Sequence, residues 1–247
     1  VEIEIVNRYV RGNIHLTKVD SEYPDNKLTG ATFEVYKDSN ANGKLDDSDE
    51  LLGTLTEKEI GEYGMNDLFY GCYFVKETKA PEGFVLDAGV YEVMIDTNGK
   101  TYEVENKAGV GFINDAMRGN LKIVKTSSDG KVKGFAFRIT GANGYDIILE
   151  TNDKGEIFID GLRIGDYTIS EVSNSASSMY VIPADKKATV KLGSTTIVEL
   201  HNVRRDTPKT GDTTNLPLLY ALAGLSAVGI VVCGVIGFKK KKKEDRN

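Results

Sequence analysis

The chain has 247 residues, 26 glycines, no tryptophan and a formal net charge of −6. This length allows two domains of ordinary size and a tail, and it does not favour one large enzyme core. The last nine residues hold six basic and two acidic side chains, a balance of +4, so residues 1–238 carry −10. An acidic body argues against nucleic-acid binding, for which a basic face is expected.

Short runs rich in Val, Ile, Thr, Tyr and Phe alternate with clusters of Gly, Asn and Asp before residue 216. This pattern predicts an all-β protein. Cys72 lies in a β-patterned stretch and Cys233 in a hydrophobic one, so we expect no disulfide framework. The chain begins without a leader, although the tail described below requires export. We therefore expect a signal peptide and further domains to precede it.

The body of the chain is an internal repeat. Residues 7–18, NRYVRGNIHLTK, match residues 114–125, NDAMRGNLKIVK, and residues 68–77 match residues 162–171. The repeat divides the body into three parts: residues 1–10 as the last strand of a preceding repeat, and complete units at residues 11–117 and 118–204.

The first unit contains a twelve-residue loop, residues 38–49, with the ligand spacing of an EF-hand. Its oxygen donors are Asp38, Asn40, Asn42, Asp46 and Asp49, with the backbone carbonyl of Lys44. This spacing predicts a Ca²⁺ site in a loop between two strands. The last position holds Asp rather than Glu, which offers a shorter carboxylate. The alternative is a turn that binds no metal.

Strand alternation places a lysine, a glutamate and an asparagine at the end of an apolar stripe in each unit. The stripes of the first unit are Ile14, Leu16 and Lys18; Tyr73, Val75 and Glu77; and Val110, Phe112 and Asn114. Those of the second are Leu121, Ile123 and Lys125; Tyr167, Ile169 and Glu171; and Val198, Leu200 and Asn202. A buried unpaired charge is costly, so we expect each triad to meet inside a core. The alternative is that each residue is solvated at a strand end.

A buried triad of this kind has a definite chemistry. Burial favours the neutral, nucleophilic amine of lysine and the protonated acid of glutamate. An amine held beside the asparagine carboxamide can attack its carbon while the acid polarises the oxygen and relays protons. Ammonia then leaves, and an isopeptide bond remains.

Residues 216–238 form 23 residues without a charge, enough to cross about 30 Å of hydrocarbon as a helix. The basic residues 239–247 follow at once, and by the positive-inside rule they stay in the cytoplasm. We therefore predict a transmembrane helix at 216–238, with residues 1–215 outside the cell. The alternative is a buried core helix.

The linker of residues 205–215 contains the pentapeptide Thr207, Pro208, Lys209, Thr210 and Gly211. With the apolar span and the basic tail, it resembles a sortase sorting signal, Leu-Pro-any-Thr-Gly. The resemblance implies that a sortase attacks the carbonyl of Thr210 and joins it to peptidoglycan or to another pilin subunit, so the chain spans a membrane only before sorting. Thr207 replaces the usual Leu, which leaves the sortase class open. An uncleaved membrane protein is the alternative.

Three segments of the first unit carry a further resemblance: Lys18-Val-Asp, Leu28-Thr-Gly-Ala-Thr-Phe and Glu77-Thr-Lys-Ala-Pro-Glu-Gly-Phe84. They resemble the Cna-B or SpaA-type, prealbumin-like domains of Gram-positive adhesins and pilins, which are reversed immunoglobulin-like sandwiches. The resemblance extends over residues 1–204. It implies tandem β-sandwiches followed by the transmembrane helix.

The same resemblance implies two isopeptide bonds, Lys18 to Asn114 assisted by Glu77, and Lys125 to Asn202 assisted by Glu171. The second unit departs from the pattern because it lacks the Ala-Pro-any-Gly turn after its glutamate. Asn106 is the rival acceptor in the first unit. Asn114 is preferred because Asn7 and Asn202 occupy the matching place.

These features predict a secreted, peptidoglycan-anchored stalk that projects a distal domain from the cell wall and turns over no external substrate. The alternatives are that one of the domains contacts a host or matrix protein directly, or that an enzyme domain lies upstream.

Overall fold

The computed structural model describes residues 9–205, which form an all-β structure, as predicted. The strands of the first half are β1 (Arg11–Asp20), β2 (Thr32–Lys37), β3 (Glu50–Thr54), β4 (Thr56–Glu59), β5 (Glu62–Phe69), β6 (Gly71–Lys79), β7 (Val90–Ile95), β8 (Thr101–Glu103) and β9 (Phe112–Asn114). Those of the second half are β10 (Arg118–Ser127), β11 (Ala136–Thr140), β12 (Asp146–Glu150), β13 (Glu156–Arg163), β14 (Gly165–Val172), β15 (Tyr180–Val181), β16 (Lys186–Val190) and β17 (Thr195–Arg204). One 3₁₀ turn, Ala142–Gly144, follows β11.

Strands β1–β9 form a first sandwich. One sheet has the order β4-β5-β1-β8, with β9 also paired to β1, and the facing sheet has the order β3-β2-β6-β7. Their inner faces enclose a core in which Phe33 packs edge-on against Tyr63 and Phe112, at ring-centroid distances of 5.3 and 4.9 Å. Such edge-to-face pairs stabilise a core beyond the area that they bury.

Strands β10–β17 form a second sandwich with the same plan. Its sheets have the orders β13-β10-β17-β15 and β12-β11-β14-β16. The core between them includes Ile123, Phe137, Ile169 and Leu200, each exposed by 2% or less. The internal repeat seen in the sequence is thus a repeat of one sandwich.

In both sandwiches the first strand lies beside the last one, in parallel. Strand β1 pairs with β9 so that Lys18 aligns with Phe112 and Asp20 with Asn114. Strand β10 pairs with β17 so that Lys125 aligns with Leu200. A covalent bond between these strands would therefore join the two ends of a sandwich.

The repeated Arg-Gly-Asn tripeptide marks the place where a loop crosses the first strand. The N–H of Asn13 donates to the carbonyl of Lys100 at 2.9 Å, and that of Asn120 donates to the carbonyl of Ser194 at 2.8 Å. A Cβ on Gly12 would lie 3.0 Å from the Lys100 oxygen, and one on Gly119 would overlap the Lys191 oxygen. Glycine is required here because the two backbones approach so closely.

Ion pairs join the two sandwiches end to end. The Arg163 guanidinium at the end of β13 donates to both carboxylate oxygens of Asp20, at 2.6 and 2.8 Å, and also to Glu22. Arg118 forms a second ion pair with Glu22. The Asp20 side chain is only 2% exposed, so its charge is compensated inside this junction.

The structure corrects one detail of the predicted stripes and leaves several predictions untested. Val110 lies in a turn before β9 and is not part of the strand. Of the predicted terminal strand at residues 1–10, only Tyr9 and Val10 are described, and neither is in a strand. The sorting pentapeptide, the span at 216–238 and the basic tail lie outside the described residues. Within residues 9–205, no helix is long and apolar enough to cross a membrane.

Candidate functional site

The six predicted triad residues are buried. Exposure is 0% for Lys18, 0% for Glu77, 3% for Asn114, 1% for Lys125, 9% for Glu171 and 0% for Asn202. The prediction that they continue the core stripes is confirmed, and the alternative of solvated strand ends is wrong.

The sandwich architecture brings the first triad together from two sheets. Lys18 on β1 and Asn114 on β9 belong to neighbouring strands of one sheet, and Glu77 on β6 faces them from the other. Asn114 Nδ2 donates to Glu77 Oε2 at 2.8 Å and also to the carbonyl of Val85. Lys18 Nζ donates to the carbonyls of Phe112 at 3.1 Å and Val19 at 3.3 Å.

The second triad repeats this arrangement. Lys125 on β10 and Asn202 on β17 lie on paired strands, and Glu171 on β14 faces them. Asn202 Nδ2 donates to Glu171 Oε1 at 2.6 Å. Lys125 Nζ donates to the carbonyl of Thr126 and lies 4.1 Å from the centre of the Phe135 ring.

Burial shifts the protonation of both triads toward the neutral forms. It lowers the pKa of Lys18 to about 8, against the opposing charges of Glu77, Asp20 and Asp87. Burial also lowers the pKa of Lys125, and it raises the pKa of Glu77 and of Glu171. Both changes favour an uncharged amine beside an uncharged acid, because desolvation penalises charge.

Each triad contains two buried oxygen atoms without a hydrogen-bond partner. These are Glu77 Oε1 with Asn114 Oδ1, and Glu171 Oε2 with Asn202 Oδ1. An unpaired buried acceptor is destabilising. A proton on the free glutamate oxygen turns that atom into a donor, and the asparagine oxygen is then an available acceptor. The protonated acid therefore fits both sites better than the carboxylate does.

Residues outside the triad also hold the first site, a role that the sequence did not assign to them. The N–H of Asp87 donates to Glu77 Oε2 at 2.8 Å. Asn106, the rival acceptor, instead binds both the N–H and the carbonyl of Ile113, at 2.7 and 2.8 Å, and donates to Asp87 at 2.6 Å. Its carboxamide is thus hydrogen-bonded to Ile113 and Asp87. The Ala-Pro-Glu-Gly turn, present only in the first unit, was the available signal.

The predicted calcium loop is exposed and held by its own polar groups. The Asp38 carboxylate accepts the N–H groups of Asn42 and Gly43 at 3.2 and 3.0 Å, and Asp46 Oδ2 accepts Asn42 Nδ2 at 2.7 Å. Asp49 Oδ2 accepts the N–H of Asp46 at 2.9 Å. In the described part of the chain, no three His, Cys, Asp or Glu side chains are grouped as a metal-binding cluster. The calcium site stays a prediction.

The chain contains two tandem sandwiches. In each, the first and last strands are adjacent, and a buried amine, acid and carboxamide lie between the sheets. These features define a class of repeated structural module. The model of the SpaA prealbumin-like fold domain matches residues 12–108 and 119–204, which is more than half of the chain. The chain belongs to this family, and the resemblance to SpaA-type domains is confirmed.

The TIE protein of Bacillus anthracis is a similar solved structure, with 25% identity and a TM-score of 0.59 over 78% of this chain and 34% of its own. The chain thus spans about a third of the length of that relative. A pilus adhesin SpaC fragment from Lactobacillus rhamnosus GG has 12% identity and a TM-score of 0.46, covering 80% and 98% of the two chains. The minor pilin GBS52 of Streptococcus agalactiae has 18% identity and a TM-score of 0.37, covering 80% of this chain and 98% of its own. No curated protein sequence matches significantly.

Proposed function

We propose that each sandwich cross-links itself through an intramolecular isopeptide bond, Lys18 to Asn114 in the first and Lys125 to Asn202 in the second. The observation that carries this proposal is the twofold burial of an amine, an acid and a carboxamide between paired terminal strands. In both sites the carboxamide nitrogen already donates to the acid, at 2.8 and 2.6 Å.

The reaction needs no external reagent. In the first sandwich, the lone pair of Lys18 Nζ attacks Asn114 Cγ, and protonated Glu77 stabilises the charge that develops on Oδ1. The Cγ–Nδ2 bond then breaks, and Nδ2 leaves as ammonia with one proton that came from the lysine amine. Glu77 relays that proton and ends in its starting state. Glu171 has the same role between Lys125 and Asn202.

Such bonds suit a stalk that carries tension. Because each would join the first strand of a sandwich to the last, force would pass through a covalent link instead of the hydrogen bonds of the sheet. Closing a loop of this size restricts the unfolded chain and is worth about 4 to 5 kcal/mol in the chain-entropy estimate used for disulfides. Unlike a disulfide, the amide also resists reduction.

Intact mass spectrometry of the full chain tests the cross-links. The wild-type chain should be lighter than its sequence mass by two ammonia molecules. Glu77→Ala and Glu171→Ala should each be lighter than their own sequence mass by only one ammonia, and the double variant should have its full sequence mass. A wild-type chain with its full sequence mass would exclude the self-cross-linking function.

The stalk is proposed to be attached to the cell wall at its C-terminal end. The support is the order of three sequence features, the pentapeptide 207–211, the apolar span 216–238 and the basic tail 239–247. A sortase would cleave after Thr210 and transfer the chain to peptidoglycan or to another pilin subunit. The stalk would then present a distal domain, as a pilin or adhesin does.

Expression behind a secretion signal in a Gram-positive host with sortases tests this attachment. Digestion of purified cell walls should release a chain that ends at Thr210, and a Pro208→Ala variant should remain in the membrane fraction. Recovery of wild-type chain only from membranes, with residues 239–247 still present, would contradict the attachment.

The loop at residues 38–49 is proposed to bind Ca²⁺ through Asp38, Asn40, Asn42, Asp46, Asp49 and the Lys44 carbonyl. Hard oxygen donors of this kind suit Ca²⁺, and hydrogen bonds already connect Asp46 to Asn40, Asn42 and Asp49. Millimolar calcium should raise the melting temperature of the wild-type chain, and Asp38→Ala should abolish the rise. An equal melting temperature with calcium and with a chelator would exclude the site.

A further inference from the structure

The two triads differ in what surrounds them, although they share their reactive groups. In the second sandwich, the Glu171 carboxyl and the Asn202 carboxamide form a hydrogen bond with each other and with no other described residue. In the first, Glu77 also accepts a main-chain N–H from Asp87, and Asn114 also donates to the carbonyl of Val85. Residues of one loop thus contact both the assisting acid, Glu77, and the acceptor, Asn114.

This loop, residues 80–89 between β6 and β7, is hydrogen-bonded to the segment that follows the acceptor asparagine. The N–H of Val85 donates to the carbonyl of Asp115 at 2.8 Å, and the N–H of Met117 donates to the carbonyl of Gly83 at 2.8 Å. The loop therefore runs antiparallel to the chain that follows Asn114. A shift of the loop would move the hydrogen-bond partners of Glu77 and Asn114 together.

Asn106 forms a second set of hydrogen bonds between the loop and the strand that carries Asn114. Its Oδ1 accepts the N–H of Ile113, and its Nδ2 donates to the Ile113 carbonyl, so it binds both backbone groups of the residue before Asn114. The same Nδ2 donates to Asp87 Oδ2 at 2.6 Å. One side chain thus connects the residue that holds Glu77 to the residue that precedes Asn114.

The Asp87 carboxylate is itself firmly held. Its Oδ1 accepts the N–H of Gly89 at 2.7 Å, and its Oδ2 accepts the hydroxyl of Tyr91 at 2.7 Å in addition to Asn106. Burial raises the pKa of Asp87, but these hydrogen bonds outweigh burial, and the net effect lowers the pKa. Asp87 is therefore ionised when Glu77 is neutral.

We propose that Asp87 and Asn106 are positioning residues for the isopeptide reaction of the first sandwich. They hold Glu77 and Asn114 in the geometry for attack by Lys18, and the Asp87 charge sets the pH range in which the lysine and glutamate pair reacts. This role rests on the proposed cross-linking function. It also explains why the rival asparagine is present at the site without being the acceptor.

The charge has a predictable effect on the pair. In the reactive state, Lys18 and Glu77 together hold one titratable proton. The rate is therefore a bell-shaped function of pH, because it falls when the pair gains a second proton and when it loses its only one. The charged groups that act on Lys18 are Glu77, Asp20 and Asp87, and Lys18 and Asp87 act on Glu77. The Asp87 charge raises the pKa of both members of the pair. Its removal should therefore move both limbs of the profile to lower pH.

The test follows cross-linking in time. The full chain is isolated unfolded and refolded by dilution with detergent, and samples are quenched, digested and analysed for each cross-linked peptide. The Lys125 to Asn202 bond, formed in the same molecule, is the internal control. Asn106→Ala should slow the Lys18 to Asn114 bond about tenfold or more, because small misplacements of reactants have effects of this size, and should leave the control bond unchanged.

The pH dependence of the reaction rate in Asp87→Asn is a measurement that a purely structural role would leave unchanged. The asparagine oxygen can still accept hydrogen bonds from Asn106 and Tyr91, and only the bond from the Gly89 N–H is lost, so the contacts toward Asn106 and Ile113 are kept without the charge. The alkaline limb of the rate profile should shift to lower pH for the first bond only. Melting of each variant in a Lys18→Ala background, where no first bond can form, controls for loss of folding.

Equal rates for wild type and Asn106→Ala, or an unchanged pH profile for Asp87→Asn, would overturn the positioning role while the bond itself stands. A wild-type chain that forms no Lys18 to Asn114 bond would overturn the cross-linking function, and the positioning role with it. If Asn106→Ala does not fold, the pH profile of Asp87→Asn decides.

Discussion

The two sandwiches have the same reactive residues in different surroundings. Sheet pairing and burial place lysine, glutamate and asparagine together in both, and both leave the same two oxygen atoms unpaired. Only in the first does a loop also contact the glutamate and the acceptor asparagine, while Asn106 connects that loop to Ile113, the residue before Asn114. The fold alone is thus enough to assemble the reactants, whereas the additional contacts fix their geometry.

The largest expected effect comes from removing the acid of the first triad. Glu77→Ala should prevent the Lys18 to Asn114 bond and lower the stability of the first sandwich by about 4 to 5 kcal/mol. For a domain of this size, its melting temperature should fall by roughly 15 to 35 °C. Differential scanning calorimetry should show this transition move, with Glu171→Ala as the matched variant that moves the other. If neither transition moves, the bonds do not stabilise the sandwiches.

The next effect concerns the junction, where the sandwiches also differ. Asp20 at the end of β1 is paired with Arg163, whereas the matching residue after Lys125 is Ser127. Arg163→Ala would leave the buried Asp20 charge without its partner and should destabilise the chain by about 3 kcal/mol in urea unfolding. Arg118→Ala removes a more exposed ion pair with Glu22, and it should cost less than about 1 kcal/mol. Equal effects of the two variants would contradict the importance of burial.

A smaller difference is expected between the rates of the two bonds. In one refolding experiment on the wild-type chain, the first bond should form about ten times faster than the second. Val85 holds Asn114, Asp87 holds Glu77, and Asn106 holds Ile113, the residue before Asn114. Quantifying both cross-linked peptides at each time point gives the ratio directly. A faster second bond would show that the outer contacts do not set the rate.

The subtlest prediction concerns pH. With the pKa of Lys18 lowered to about 8, the one-proton state of the first pair is lost as pH rises through that value. The rate of the first bond should therefore fall above about pH 8, and fall again in acid where Glu77 and Lys18 are both protonated. Initial rates from pH 4 to 10 measure this. A rate that rises steadily to pH 10 would mean that glutamate protonation is not needed.

Much of the site could be predicted because strand alternation is a local property of the sequence. The parity of Lys18, Glu77 and Asn114 was enough to predict their burial, and the repeat gave independent support. The prediction from alternation was wrong at Val110, because this residue lies in a turn and β9 begins only at Phe112.

The remaining features depend on contacts that no local pattern encodes. Asp20 and Arg163 are 143 residues apart in the chain, and they meet only because the sandwiches abut at their ends. Asp87 acts on Glu77 through its backbone N–H, which every residue other than proline carries. Asn106 could be recognised as an asparagine near the acceptor, but its role depends on the position of Ile113.

Peptide mapping of the wild-type chain tests the central claim most directly. After protease digestion, tandem mass spectrometry should identify two branched peptides, one joining Lys18 to Asn114 and the other joining Lys125 to Asn202, each lighter by one ammonia. Recovery of linear peptides that carry unmodified Lys18 and Asn114, and likewise Lys125 and Asn202, would contradict it.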